Sequence, residues 1–441
     1  MTKCNRESLP FPAPKGRRIE VSFTGGDVSG DGGLPLIRQV DRSIGLTNAV
    51  AGCIKDPRDQ SRITHSLPAL IKQRIYAIAQ GYEDLNDHQQ LRHDTLFKTV
   101  INSEEALGSS PTLCRLENWA HHRESAVKIH DVIIEQFIAS YSEPPKQLVL
   151  DFDATDDAIY GNQEKRFFHG YYDHYCFLPL FVFCGSQLLV AYLRPSKIDG
   201  AKHAWAILSL LVKRLRLAWP QVSIVFRGDG GFCRHRILDW CDRNSVSYCV
   251  GLPKNQRLNN RPEIVETVGE MAVDYDMTGV KQRDFENVHY AAATWSGERR
   301  VIARLEFGAR GEDHRYIVTN IGGDSRAIYE DLYCQRGNME NHLKSVQYDL
   351  FSGRTSCHYF IANQFRLLMS AAAYILMERV RAIGLAGTEL ANCTLGNLRL
   401  KLLKIGAVIV KNTRRVKIML SSACPYQELF RLAARRLNPT R

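Results

Sequence analysis

Apolar positions recur with a helical period through residues 1–145. Ser66 can cap a helix with Pro68 in its first turn. Leu67, Leu70, Ile71, Ile75 and Ile78 then share one face, and Gly81 ends the run. A second amphipathic run holds Val127, His130, Ile133, Ile134, Phe137 and Ile138. Pro144-Pro145 closes this region, which reads as a helical N-terminal domain. At Gln147 the period changes. Residues 148–153, 177–183 and 188–194 read as strands, the last two joined by the turn Cys184-Gly185-Ser186. A helix over 201–219 stops at Pro220, and a strand over 222–229, a helix over 232–243 and a strand over 247–253 follow. Three strands, a helix, a strand, a helix and a strand over residues 146–254 describe an α/β layer fold.

Residues 255–324 are β-rich, with strands expected at 288–295, 301–307 and 314–320, and read as a separate small sheet inserted into the layer. Helical pattern resumes at Ser325 and runs to Ile383 with a break near Gly353, so residues 325–384 form the next segment. Residues 385–441 hold strands at 405–411 and 415–420 and a helix at 426–437.

Two of these strands end in acids. In LDFDATDD, alternation puts Val149, Asp151 and Asp153 on one face and Leu148, Leu150 and Phe152 on the other. Carboxylates on an apolar strand are costly unless paired or metal-bound. In IVFRGDGGF an apolar strand delivers Asp229 into a Gly-Gly turn, and sites in open α/β sheets lie beyond the carboxyl ends of strands. Each segment also reads as a plain strand-to-turn transition. A helix then carries Tyr333, Arg336, Glu340 and Lys344 on one face with Gln347 close by. That face reads either as an exposed ion-pair stripe or as a carboxylate flanked by cations and an aromatic. The second arrangement suits a metal held against a phosphodiester.

With 441 residues, 44% hydrophobic and 24% charged, the chain is globular in composition and long enough for two or three folding units. The longest apolar run, Leu367 to Met377, is short for a membrane span, and the N-terminus lacks the apolar stretch of a signal peptide. The expectation is a cytoplasmic protein with no membrane partner. Twelve dispersed cysteines without a CxxC pair argue against a disulfide framework and a zinc site, and Cys233, Cys241 and Cys249 have no matching His pattern. No phosphate-binding GxxxxGK[ST] loop is present. His169, His174 and His203 read as structural, and Trp295 as a sheet aromatic beside a turn. Residues 398–441 hold eleven Lys or Arg against one acid, Glu428, and so carry +10 of the net charge of +11. Such a segment, with Arg414, Arg415 and Lys417 at its centre, suits a polyanion, most simply nucleic acid, or serves as a solvated basic face.

From Ser22 to Leu437 the chain resembles the DDE transposases of bacterial insertion sequences, specifically the insertion-sequence 1380 family. The resemblance is carried by DPRDQSRITHSLPALIKQRIYAIAQGYEDLND, LRHDTLFK, SSPTLCRLEN, LDFDATDDAIYG, FFHGYYDHYCFLPL, VFRGDGGF, YCQRGNMENHLK and SSACPYQELF, in that order. It implies an RNase H-like core split by the β-rich insertion, with an N-terminal domain for DNA binding or dimerisation. The family triad falls on Asp153, Asp229 and Glu340 as catalytic residues and ligands of two Mg²⁺ ions, which Mn²⁺ can replace. Tyr333 and Arg336 match the Tyr-x-x-Arg-x-x-x-Glu signature and, with Lys344, are expected to bind DNA rather than metal. Related families carry a Lys seven residues after the Glu; here that position is Gln347, and Lys344 is the nearest cation. Asp151 falls behind Asp153 as a supporting residue. The implied partners are double-stranded DNA, as terminal inverted repeats and target, and further copies of the chain in a homodimer or larger synaptic complex. The rival expectations are a DNA-binding derivative without catalysis and a nuclease that cuts without joining.

Overall fold

The computed structural model describes residues 9–11, 17, 19–120 and 122–438; Cys4 and Arg441 lie outside them. By its contacts the chain divides into two compact units, one of residues 1–120 with 372–441 and the other of residues 121–371. The division at 145, 254, 324 and 384 follows pattern along the chain, whereas these units follow contact in space.

The unit of residues 121–371 is mixed α/β and built on an eight-stranded sheet. Helix α1 (Arg123–Ile138) leads into β1 (Gln147–Ala154), then β2 (Leu180–Cys184) and β3 (Gln187–Tyr192). Helix α2 (Ala204–Ala218), β4 (Ser223–Gly228), α3 (His235–Arg243) and β5 (Ser247–Leu252) follow, so along the main sheet up to β5 the order expected from the pattern is observed. Next come α4 (Pro262–Thr278) and three strands, β6 (Gln282–Tyr290), β7 (Arg299–Gly308) and β8 (Gly311–Thr319). The strand order is β6-β7-β8-β5-β4-β1-β2-β3. β4 lies parallel to both β1 and β5, and every other pair is antiparallel.

Periodicity explains how the layers pack. Leu148, Leu150 and Phe152 of β1 and Ile224 and Phe226 of β4 are at most 2% exposed. They pack in one core with Leu208, Leu211, Val212 and Leu215 of α2 and Ile237, Leu238 and Cys241 of α3. The alternate positions of β1, including Asp151 and Asp153, face the other way. On that second face Cys249, Ile302 and Ile317 pack with Ile328 and Tyr329 of the helical segment that begins at Ser325. That segment has an α-helical centre, α5 (Arg336–Lys344), between two wider π-type turns, Ile328–Tyr333 and Ser345–Asp349. After a break, α6 (Phe360–Arg379) begins, and its Gln364 side chain bonds both Leu193 N and Ala191 O beside β3. The helical stretch Phe360–Gly384 is long and apolar enough to cross a membrane, yet 94% of its apolar window is buried inside the protein, as in a core helix.

The structure departs from the sequence pattern in three places. Residues 177–183 are two strands in different sheets: His174–Phe177 pairs with Asp157–Ala158 and Phe167–His169, while Leu180–Cys184 joins the main sheet. Pro179, which has no N–H to give a ladder, separates them. The strands of residues 282–319 form no sheet of their own; β8 pairs antiparallel with β5 and continues the main one. This pairing satisfies a row of backbone groups that would otherwise be a bare edge. Helix α4 was missed, although Pro262 at its start, Gly279 at its end and buried Ile264, Thr267 and Met271 on one face are helix signals. Trp295 lies near the hairpin, edge-on to Tyr290 and beside the Arg299 guanidinium. Among the described cysteines there is no disulfide.

The other unit joins both ends of the chain. Its first part includes helices Leu34–Ile44, Leu67–Gln80, Thr95–Ile101 and Ser110–Trp119. Ser66 accepts a bond from Ala69 N at the start of Leu67–Gln80, and Gly81 closes that helix at φ 94°. The strands Ala407–Lys411 and Val416–Leu420 form a hairpin on which the short strand Val28–Ser29 adds. Lys404 meets the buried Asp31 carboxylate at 2.7 Å and lies over the Tyr82 ring. Arg399 donates to Ala79 O at 2.9 Å, and Leu398, Leu402, Leu403, Ala433 and Leu437 are buried. Part of the basic segment is therefore core. Arg414, Arg415 and Lys417 are exposed on the hairpin.

Candidate active site

Two acids expected from the sequence arrive on neighbouring parallel strands. Register pairs Arg227 with Asp151 and Gly228 with Phe152 across β4 and β1. Asp153 and Asp229 therefore leave the same end of the sheet. Asp229 caps the 3₁₀ turn Gly230–Phe232, its Oδ1 accepting from Gly231 N at 2.9 Å. The turn is tightly built. A Cβ on Gly228 would stand 3.1 Å from Phe232 Cβ, and one on Gly251 would stand 2.6 Å from the Tyr333 hydroxyl and 2.8 Å from Gly230 N. Gly251 of β5 thus leaves room for both the turn and Tyr333. Burial pushes the Tyr333 hydroxyl up to about 12, and this ring packs beside Tyr329. The Tyr333 hydroxyl therefore lies close to Gly251, beside the turn that carries Asp229.

Arg336 is the centre of the group. Its guanidinium donates to Glu340 Oε1 at 2.8 Å and lies 3.9 Å from Asp229 Oδ2. Burial pushes the Asp153 carboxyl up to about 6; the Arg336 charge opposes this, while Asp229 and Glu340 add to it. Burial works against the Arg336 charge, but Asp153, Asp229, Tyr333 and Glu340 together raise its pKa. The three carboxylates and this one cation therefore share a field. Among the described residues no three or more His, Cys, Asp or Glu side chains converge closely enough to hold a metal as they stand. The donor set itself is chemically suited to one. Three carboxylates offer hard oxygen ligands of the kind divalent Mg²⁺ takes, and the buried Asp153 carboxyl, with Asp229 and Glu340 acting on it, would gain from added positive charge.

Asp151 has a different role. It is 1% exposed and holds Arg227 bidentately, with Oδ2 accepting from Nη2 at 2.7 Å. Arg227 also donates to the Leu332 carbonyl. The pair fixes the segment before α5 to the sheet behind Asp153. Burial raises the Asp151 carboxyl pKa, and Arg227 opposes that. Sequence reasoning missed Arg227; its place opposite Asp151 follows from strand pairing. Gln347 donates to Thr155 Oγ1 at 3.0 Å and ties the end of this helical segment to the end of β1. Lys344 is exposed. His174 meets Asp156 at 2.8 Å, and His169 and His203 pack against Tyr172 and Tyr192.

Acids at the ends of two adjacent strands, faced by a third on a helix and gathered around one positive charge, form a carboxylate set of the kind that divalent-metal phosphodiester chemistry uses. The chain belongs to the transposase DDE domain group 1 family, whose model matches residues 11–441. It is a metal-dependent enzyme of DNA transposition, with DNA as its partner. Among solved structures it is similar to a piggyBac transposase synaptic complex with hairpin DNA, with a TM-score of 0.41, 11% identity, and 85% of this chain and 80% of that chain covered. Among curated proteins none matches it.

Proposed function

We propose that this is the transposase of a bacterial insertion sequence of the 1380 type, with an RNase H-like core. The strand order β3-β2-β1-β4-β5, with β1, β4 and β5 parallel and β2 reversed, supports the core. The observation that carries the reading is the gathering of Asp153, Asp229 and Glu340 around Arg336. These three carboxylates would hold two Mg²⁺ ions, with Mn²⁺ able to replace them. Metal held by these residues would supply Lewis-acid chemistry for attack of water on the phosphodiester and for charge on the leaving oxygen. Once its carboxylates are otherwise engaged, Arg336 is free to hold a DNA phosphate, with Lys344 beside it on the exposed side. Tyr333 keeps the Asp229 turn in place.

The reaction is cleavage at the terminal inverted repeats and attack of the freed 3′-hydroxyl on target DNA. Joining two ends to one target requires a homodimer or larger synaptic complex. DNA phosphates meet Arg414, Arg415 and Lys417 and the cavity of about 630 Å³ lined in part by Arg58, Arg62, His65, Arg115 and Trp119. The protein works in the cytoplasm, on the nucleoid. The test is Mg²⁺-dependent cleavage of linear DNA carrying the element ends by Asp153→Asn, Asp229→Asn, Glu340→Gln and Asp151→Asn side by side. The first three lose cleavage and joining but keep repeat binding. Normal cleavage by Glu340→Gln would show the triad to be wrong. Cleavage without strand transfer in the parent protein would make it a nuclease instead.

A further inference from the structure

One buried acid outside this group has no partner. Asp157 is 2% exposed, and neither of its carboxylate oxygens has a hydrogen bond. It sits on the two-residue strand Asp157–Ala158, opposite Phe177 and Cys176. A Cβ on Gly353 would stand 3.4 Å from its Oδ1, so the chain at Gly353 runs directly past the carboxylate. On either side of Gly353 the buried Ser352 Oγ and Thr355 Oγ1 also lack partners. Gln163 donates from Nε2 to Thr355 O at 3.3 Å and leaves its buried Oε1 without a bond.

The unsatisfied atoms on these two facing segments are all oxygens. No Lys or Arg is among the groups that act on Asp157; burial and then Asp156 push its carboxyl well up. Asp156 is engaged by His174 at 2.8 Å. Buried polar groups without partners are costly, and an uncompensated carboxylate is the costliest. A water would satisfy some of these oxygens but would bring no charge. A hard cation brings charge and takes carboxylate, hydroxyl and amide oxygens together.

We propose that Asp157, Ser352, Thr355 and Gln163 form a structural site for a hard metal cation, separate from the triad. Its place gives it a purpose. One segment continues the strand of Asp153 and the other continues the helical segment of Glu340, so a shared cation clamps the two together. The bond from Gln347 to Thr155 already ties residues 153–155 to residues 345–349.

The test uses the full chain with Asp153→Asn, Asp229→Asn and Glu340→Gln combined, so that a cation response cannot come from the triad. Chelator-treated protein is melted in KCl, NaCl, CaCl₂ or MgCl₂ at constant ionic strength. One of these cations raises the Tm saturably by several degrees. The rise disappears with Asp157→Asn and needs at least tenfold more cation with Ser352→Ala and Thr355→Ala together. The proposal is overturned if no cation shifts the Tm, if the shift survives Asp157→Asn, or if Asp157→Asn alone matches the cation-loaded parent, which would mean a water or a protonated acid. Should Asp157→Asn not fold, unchanged cation affinity in the hydroxyl double variant overturns it equally.

Discussion

Asp153→Asn should stabilise the metal-free protein while it destroys cleavage. Burial, with Asp229 and Glu340 adding to it, lifts the Asp153 carboxyl from 3.8 to about 6 against the opposing Arg336 charge. At about 1.4 kcal/mol per unit, that rise places an upper bound of about 3 kcal/mol on the strain at neutral pH. An amide of the same shape removes the charge, so a gain of about 1–3 kcal/mol is expected. The sign follows from linkage. The folded pKa lies above the unfolded one, so the parent bears no penalty below about pH 4 and the full penalty above about pH 6. Urea unfolding in chelator at pH 7.5 and at pH 4 reads this directly: the variant is the more stable at the higher pH, and the two converge at the lower. Adding divalent metal reverses the order, because only the parent binds it. A variant no more stable than the parent at pH 7.5, or equally more stable at both pH values, would refute the claim that Asp153 is strained by its charge.

Asp151→Asn acts in the opposite direction. It leaves Arg227, whose side chain is 8% exposed, without its carboxylate, and breaking such a buried pair costs roughly 3–5 kcal/mol; urea unfolding measures it, and a loss under 1 kcal/mol speaks against the pair as a brace. Gly251→Ala puts a Cβ 2.6 Å from the Tyr333 hydroxyl, so end cleavage should fall at least tenfold with repeat binding kept; cleavage at the parent rate would show that the turn has slack. Arg414→Ala, Arg415→Ala and Lys417→Ala together should lower the salt dependence of DNA binding by about 3 in log–log slope, whereas an unchanged slope would take the hairpin off the DNA. Point changes are required here because deleting residues 398–441 would also remove buried Leu402, Leu403 and Leu437.

The order of elements was legible because it is local. Alternation in LVLDFD and the 3.6-residue period from Leu67 to Ile78 are written in neighbouring residues. The positions of the three acids were legible as candidates for the same reason: each ends an apolar strand or shares a helix face with Arg336. Pairing decided the rest. Arg227 reads as one more cation in VFRGD until β4 lies beside β1 and sets it against Asp151, 76 residues away, and against Leu332, 105 residues away. The strands of residues 282–319 carry the same alternation whether they close a sheet of their own or extend the main one; only the free edge of β5 decides. The strands near the C-terminus give no hint that Val28–Ser29 will join them. Asp157 looks like a turn acid in ATDDA and becomes a buried, unpartnered carboxyl only when the loop at Gly353 closes over it. Periodicity specifies which face a side chain takes, but its partner comes from a distant part of the chain, chosen by which surfaces and backbone edges must be covered together.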